Sequence, residues 1–356
     1  MNYIGSKYSL LSFLDESIAK VIGNDDCKTF CDMFSGTANV GKYFKKKGYQ
    51  IISNDLQYYS YVLSMQYIAN HKILVFSGLE DDIDFSGIDS ECRKDVVCEY
   101  LDSLTPIKGF VYNNFCKGNH PDNEEYRLYF SDYNGCKCDA IRLKIEDWFK
   151  TEKVTEEEYY FLLATLIENI DKVANTASVY GAFLKKIKSS AQKPLIMKSA
   201  EMIYNTQTHL VYNKDANDLI REIKEDILYL DPPYNQRQYC ANYHVLETIA
   251  KYDNPILKGK TGMRDYTIQK SDYCNKRKVK ETFTDLINNA NAKYIFLSYN
   301  NEGLMSFDEI KNIMSKRGKY GCFEKKYSRF KADNISQKRR IKADYTTEYL
   351  HYVICE

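Results

Sequence analysis

A chain of 356 residues, 44% hydrophobic and 28% charged, with only 16 Gly and 6 Pro, excludes collagen-like, low-complexity and largely disordered architectures. At roughly 100–200 residues per domain, the length predicts about two domains. Lys and Arg number 50 against 49 Asp and Glu, a net charge of +1, so any charged face must arise from uneven distribution.

No run approaches the ~18 uninterrupted apolar residues of a membrane span, and the apolar N-terminal stretch ends at Asp15. A signal peptide and a membrane anchor are therefore not expected, and a cytoplasmic location is. The 11 Cys are odd in number and scattered, the pattern of reduced thiols rather than of a disulfide scaffold. Cys116, His120, Cys136 and Cys138 could in principle hold zinc. Their CxxxH and CxC spacings are not the paired CxxC knuckles of structural sites, so no metal is expected.

Taken in order, residues 7–22 place Leu10, Leu11, Phe13, Leu14, Ile18 and Val21 at helical spacing. Thr29–Phe34 reads as a strand, followed by a turn at Ser35-Gly36-Thr37-Ala38-Asn39-Val40-Gly41 and a helix. Gln50–Ser53 is a second strand ending at Asn54-Asp55, with a helix through Tyr59, Val62, Leu63 and Ile68. Strand–helix–strand–helix opens a doubly wound α/β sheet.

From about residue 75 the pattern changes. Residues 80–102 carry nine acids against two bases, and Tyr112–Arg142 lacks clear periodicity. Thr155-Glu156-Glu157-Glu158 resembles a capping box opening a long helix, and a second helix is expected over about 178–190. The sheet pattern resumes at 209–212 and continues through the strand Ile227–Leu230 and a helix containing Tyr243, Leu246 and Ile249. Later strands are expected at Tyr294–Ser298 and Glu348–Ile354. Residues 75–194 thus read as an insertion into a discontinuous domain formed by 1–74 and 195–356. Two basic blocks follow it. Residues 258–280 hold eight Lys/Arg against two Asp, and residues 316–344 hold eleven against three acids. Interleaved with Tyr266, Tyr273, Tyr320, Tyr327 and Phe330, they suit a phosphate backbone, although a solvated Lys-rich surface has the same composition.

The sharpest chemical signal is Asp231-Pro232-Pro233-Tyr234, directly after an apolar strand. Ligands of open α/β sheets bind at the carboxyl ends of strands. Two prolines lack N–H groups and fix φ, leaving the Asp231 carboxylate and the Pro232 carbonyl as a rigid acceptor pair for an amino group with two hydrogens. Tyr234 offers a face on which a planar base can stack. A surface Asp-Pro-Pro turn is the bland alternative, and the strand context weighs against it.

The second signal is the glycine turn Asp32–Gly41, with Asp55 lying 19 residues beyond Gly36 at the end of the next strand. Glycine after a strand lets a cofactor approach the backbone, and a strand-end acid suits ribose hydroxyls. These two features alone point to an adenosine-bearing cofactor and leave a dinucleotide open. Lone His244 and the single Trp148 read as structural residues.

Together these motifs resemble the alpha-group (Dam-like) adenine-N6-specific DNA methyltransferases of the restriction-modification type, over nearly the whole chain and in that group's motif order. Asn2-Tyr3-Ile4-Gly5-Ser6-Lys7 matches the N-terminal motif, Asp32–Gly41 the cofactor loop, Asn54-Asp55 the ribose-binding acid and Asp231–Tyr234 the catalytic tetrapeptide. Asn213-Lys214-Asp215-Ala216 resembles the position that meets the cofactor adenine. The segments 235–239 and 242–248, and Ser298-Tyr299-Asn300, also fit. One departure is Ala38, where many relatives carry a second Gly; it is tolerable if φ there is negative.

The resemblance implies a doubly wound S-adenosyl-L-methionine-dependent methyltransferase sheet with an inserted, mainly helical target-recognition region. It assigns Asp231, Pro232, Pro233 and Tyr234 to catalysis on a flipped adenine. Tyr3, Lys7, Asp32, Phe34, Ser35, Gly36, Asp55 and Asp215 fall to the cofactor, with Lys7 at its methionine end. Double-stranded DNA is the implied partner, and a cognate restriction endonuclease would act on the same site without stable association. Two alternatives carry different expectations. An RNA-adenine or protein-amide methyltransferase could use a similar tetrapeptide, although protein-amide enzymes typically begin it with Asn. A DNA-binding regulator on an inactive scaffold would not need intact Lys7, Asp55 and Asp231–Tyr234.

Overall fold

The computed structural model describes residues 3–118, 126–328 and 345–356. His120, Asn2 and most of the second basic block, including Phe330, lie outside them. The chain forms two compact units. One comprises Gly5–Tyr61, Thr208–Tyr239 and Thr267–Glu356; the other comprises Met1–Ile4, Val62–Gln207 and Cys240–Tyr266.

The first unit is built on a seven-stranded sheet: β1 (Thr29–Asp32), β2 (Gln50–Asn54), β3 (Leu210–Tyr212), β4 (Glu225–Leu230), β5 (Ala292–Asn300), β6 (Gly318–Ser328) and β7 (Tyr345–Cys355). Their spatial order is β3-β2-β1-β4-β5-β7-β6. All neighbours are parallel except β7, which runs antiparallel to both β5 and β6. Strand order reverses between β1 and β4, so the topological switch point lies there, where α/β sheets bind ligands.

Both faces are covered, as runs of apolar residues in parallel strands require. On one face Phe30 and Tyr229 stack near Phe44 of the helix Asn39–Lys46. On the other, Cys31, Leu228, Leu230, Ile295 and Leu297 pack against Leu219, Phe283, Leu286 and Ile313 from three helices. Alternation along each strand sends neighbouring side chains to opposite layers. Glu225, at the head of β4, is an exception in kind: a buried carboxylate with neither oxygen hydrogen-bonded among the described residues. Burial pushes its carboxyl up to about 8, with the nearby charge of Asp226 adding to the effect.

The second unit is mainly helical, around Arg93–Ser103, Asp132–Lys150 and Glu156–Lys172. The capping box forms as read, with Thr155 and Glu158 bonding reciprocally. Trp148 is fully buried and donates to Asp82. This unit is wider than residues 75–194. The buried Arg142 donates to the carbonyls of Ile249 and Ala250 at the end of the helix His244–Lys251, which holds Cys240–Tyr266 in the same body. His244 is fully buried with Nε2 2.9 Å from the Tyr180 carbonyl, and burial lowers its pKa to about 4, the setting of a structural histidine.

One local expectation needs correction, and two elements went unread. Residues 178–190 do not form a helix; only Ser189–Gln192 is helical. Their backbone groups are taken by distant partners: Leu184 N–H by the Asn175 carbonyl, Lys188 N–H by the Asn175 side chain and Tyr180 N–H by Asn242. Conversely, Tyr112–Arg142 contains the start of a 19-residue helix, capped by Ser131, that showed no clear apolar stripe because both faces of it are buried. Part of the second basic block is strand β6, whose pairing with β7 is tertiary.

Candidate active site

The carboxyl ends of the central strands carry the acids singled out above. Asp32 is the last residue of β1, Asp55 follows β2, and Asp231 follows β4, whose Tyr229 is in register with Asp32. Adjacent parallel strands therefore bring the glycine turn and the Asp-Pro-Pro-Tyr loop to the switch point.

The glycine turn is fixed by backbone bonds. Ser35 N–H donates to the Asn54 carbonyl at 2.9 Å, and Gly36 N–H to one Asp55 oxygen at 2.8 Å. The other Asp55 oxygen accepts Gln57 N–H at 2.8 Å. Gly36 has φ 53°, a left-handed conformation that glycine adopts without strain. Ala38 has φ 58°, so the condition of negative φ is not met. The turn holds an alanine in the left-handed region, at a cost of roughly 1–2 kcal/mol. Phe34 packs edge-on against Tyr273 at 5.1 Å.

Asp32 is buried. One of its oxygens accepts Gly41 N–H at 3.0 Å, while Oδ1 has no partner among the described residues. Burial pushes its carboxyl up to about 7, and the charges of Asp231 and Asp55 act in the same direction against the Gly41 bond. The loop 213–215 is tied to the same edge. Asn54 exchanges two hydrogen bonds with the backbone of Lys214, at 3.0 and 3.1 Å, and Asn213 donates to the Asp55 carbonyl. Asp215 caps the short helix Ala216–Leu219 through Asn217 N–H and is itself exposed.

Around the tetrapeptide, Lys7 is decisive. Its Nζ lies 3.1 Å from Asp231 Oδ1, 2.7 Å from a Glu348 oxygen and 5.4 Å from the Tyr234 ring centroid. Burial works against the charge on Lys7, but the carboxylates of Asp231 and Glu348 outweigh it and hold the ammonium well above its usual range. Burial pushes Asp231 up to about 7, a rise that the Lys7 charge restrains and Glu348 reinforces. Pro232 is buried and Pro233 half-buried; both follow trans peptide bonds. Tyr234 packs edge-on against Tyr299 at 6.0 Å, and its carbonyl accepts Leu304 N–H. Gly5, with φ 83°, leaves room for the Tyr239 hydroxyl, which a Cβ would meet at 2.8 Å.

Of the residues predicted for the site, Lys7, Asp32, Phe34, Ser35, Gly36, Asp55 and Asp231–Tyr234 belong to the sheet unit and its carboxyl edge, with Asp215 on the adjoining loop. Tyr3 belongs to the helical unit, where its ring stacks on Tyr243 at 4.7 Å. Two contributors, Tyr229 and Glu348, escaped sequence reasoning, and a third, Gln238, was noted only as part of the segment 235–239. Tyr229 donates to Ser298 beneath the loop, Gln238 exchanges two hydrogen bonds with Ser271, and Glu348 pairs with Lys7. Glu348 had a signal: it is the one acid in the run 345–355, which holds no Lys or Arg. Cys116, Cys136 and Cys138 are free thiols, each pushed up by burial.

A central switch point, a glycine turn backed by a strand-end acid and an antiparallel seventh strand together define a methyltransferase-type α/β fold. Comparison with known families makes this specific. Residues 3–343 match the model of the D12 class N6 adenine-specific DNA methyltransferases, and the chain belongs to that family. It is 48% identical over 352 residues to the type II methyltransferase M.NlaIII of Neisseria lactamica, covering 99% of this chain and 98% of that one. The type II methyltransferase M.CviAII of Paramecium bursaria Chlorella virus 1 is 36% identical over 358 residues, nearly the full length of both. The type II methyltransferase M.FokI of Planomicrobium okeanokoites is 37% identical over 99% of this chain, which spans about half of that protein. The protein is an adenine-specific N6 DNA methyltransferase.

Proposed function

We propose that the chain is the modification enzyme of a type II restriction-modification system, methylating N6 of an adenine flipped from double-stranded DNA with S-adenosyl-L-methionine as donor. A restriction endonuclease acting on the same sequence is the corresponding partner, without stable association. The observation that carries the reading is the convergence of Asp32, Asp55 and the Lys7–Asp231 pair at one switch point.

The residues fit this cofactor. The unpartnered, buried Asp32 Oδ1 is an orphaned acceptor of the kind a ligand ammonium satisfies, and Gly36 presents no Cβ to a close ligand. The carboxylate of Asp55 is a charged acceptor suited to ribose hydroxyls. Asp215, beside it, meets the adenine. When bound, the cofactor supplies a methyl group on an electron-poor sulfonium.

This chain supplies positioning and electrostatics. Flipping costs a few kcal/mol, and stacking on Tyr234 returns roughly 1–3 kcal/mol of it. Asp231 and the Pro232 carbonyl accept the two amino hydrogens, drawing the nitrogen lone pair out of conjugation with the ring. Lys7, assigned to the methionine end of the cofactor, is also held between two carboxylates and so serves Asp231. The helical unit reads the target sequence.

Labelled cofactor offered DNA, RNA and bulk protein should transfer label to DNA adenine alone, and methylome mapping of expressing cells should return one recognition sequence. Label on RNA, or none, would favour the rival readings.

A further inference from the structure

We infer that Glu348 is a positioning residue of the methyl-transfer site: it shares the charge of Lys7, so that Asp231 stays available to accept from the target amino group. The inference rests on the reading of Asp231 proposed above. Glu348 sits on β7 opposite Asn300 of β5 and is fully buried. Apart from the 2.7 Å ion pair with Lys7, neither of its oxygens has a hydrogen-bond partner among the described residues. A fixed ammonium thus stands in a row between two carboxylates, with side chains 4%, 15% and 0% exposed for Lys7, Asp231 and Glu348.

Anchoring the N-terminal segment to the sheet would need only one carboxylate. A Lys7–Asp231 pair alone is neutral, and a neutralised Asp231 attracts an amino group weakly. With Asp231 ionised, the second carboxylate leaves the row with a net charge of −1 in a site of low dielectric, which is unfavourable at rest. Methyl transfer compensates it. The N6 lone pair forms the new bond to carbon as the carbon–sulfur pair returns to sulfur, and positive charge develops on N6. The nitrogen then gives one of its two protons to Asp231. A net negative row is complementary to that developing charge, whereas a neutral pair is not.

The groups facing Asp231 are Lys7 from the N-terminal segment, Glu348 from β7, Tyr229 from β4 and Asp32 from β1, with Tyr234 beside it and Glu302 acting on Tyr234. Of these, Glu348 makes Asp231 a stronger base and Lys7 a weaker one.

The test is Glu348→Gln in the full chain, with Glu348→Asp as the conservative variant. In Glu348→Gln the single-turnover rate on DNA should fall about 100-fold, with dissociation constants for S-adenosyl-L-methionine and DNA within threefold of wild type. The acid limb of the rate profile should move to lower pH. The Asp231 carboxyl titration, followed by carbon NMR in the free protein, should move the same way, a readout independent of turnover. Glu348→Asp should recover part of the rate, and carries the test if the Gln variant does not fold. A wild-type rate, or a rate loss with an unmoved Asp231 titration, reduces Glu348 to an anchor and overturns the inference. If Asp231→Ala retains turnover while the titration shifts as expected, the reading of Asp231 has failed instead, and the inference falls with it.

Discussion

Asp231 and Asp55 are both carboxylates at strand ends, yet their surroundings divide their tasks. Asp231 is screened from solvent and braced by Lys7, whereas Asp55 uses both oxygens to hold the turns at 36 and 57. Asp231→Ala should therefore nearly abolish methylation while cofactor affinity stays within a few-fold, as equilibrium binding of S-adenosyl-L-methionine would show. Substantial residual turnover would remove Asp231 from the reacting centre. Asp55→Ala should weaken cofactor binding by roughly 1.5–3 kcal/mol, or about 10- to 150-fold, because a charged acceptor is lost. An unchanged dissociation constant would exclude it from the ribose site. Both residues were legible in the sequence, since each closes a short apolar strand. Glu348 was not, because its partner lies 341 positions away in the chain.

At the scale of the element, β4 illustrates opposite demands at its two ends. Its carboxyl end delivers Asp231 to the switch point, and its head buries Glu225 without a hydrogen-bond partner among the described residues. Because the folded pKa of Glu225 is raised from 4.5 to about 8, the folded state binds this proton more tightly than the unfolded chain does. Its contribution is therefore fully present below pH 4.5 and is lost as pH rises through 8. Glu225→Gln removes that dependence. Unfolding free energies of wild type and variant, from denaturant titrations, should be similar near pH 5 and diverge in favour of the variant by pH 8, by an amount on the order of a few kcal/mol. A difference that does not grow with pH would mean that Glu225 is ionised and solvated in the folded protein. Strand cores and the Thr155 cap were readable because periodicity and capping are local. Residues 178–190 misled because their amides bond to Asn175 and Asn242 rather than to one another.

At the scale of the whole molecule, the proposed function separates two expected modes of DNA contact. The basic segment 258–280 is divided between the units, and Arg264 is withdrawn from it by a bidentate pair with Asp253. Lys258, Lys260, Lys276 and Arg277 are exposed. Substituting them should lower affinity for all DNA alike and flatten its salt dependence, as loss of phosphate contacts does. Substitutions of polar or basic residues between Tyr112 and Lys193 should instead change which sites are methylated, since a lost base-edge contact is worth about 1–3 kcal/mol at one position. Methylome sequencing of both sets decides between them. Intact fidelity in the second set with altered fidelity in the first would reverse the assignment.

The sequence by itself determined the motif order, the alternation of strands and helices that makes a sheet covered on both faces, and the acids that close β1, β2 and β4. These are local properties of short segments, written in periodicity and in Pro and Gly. Tertiary structure decided what depends on distant segments meeting. It joined Cys240–Tyr266 to the helical unit through Arg142 and placed Ala38 at positive φ. Through the pairing of β7 with β5 it also set a second carboxylate beside Lys7. The physical reason is that a buried charge is specified by the partner that compensates it, and neither spacing nor composition carries that partner's position.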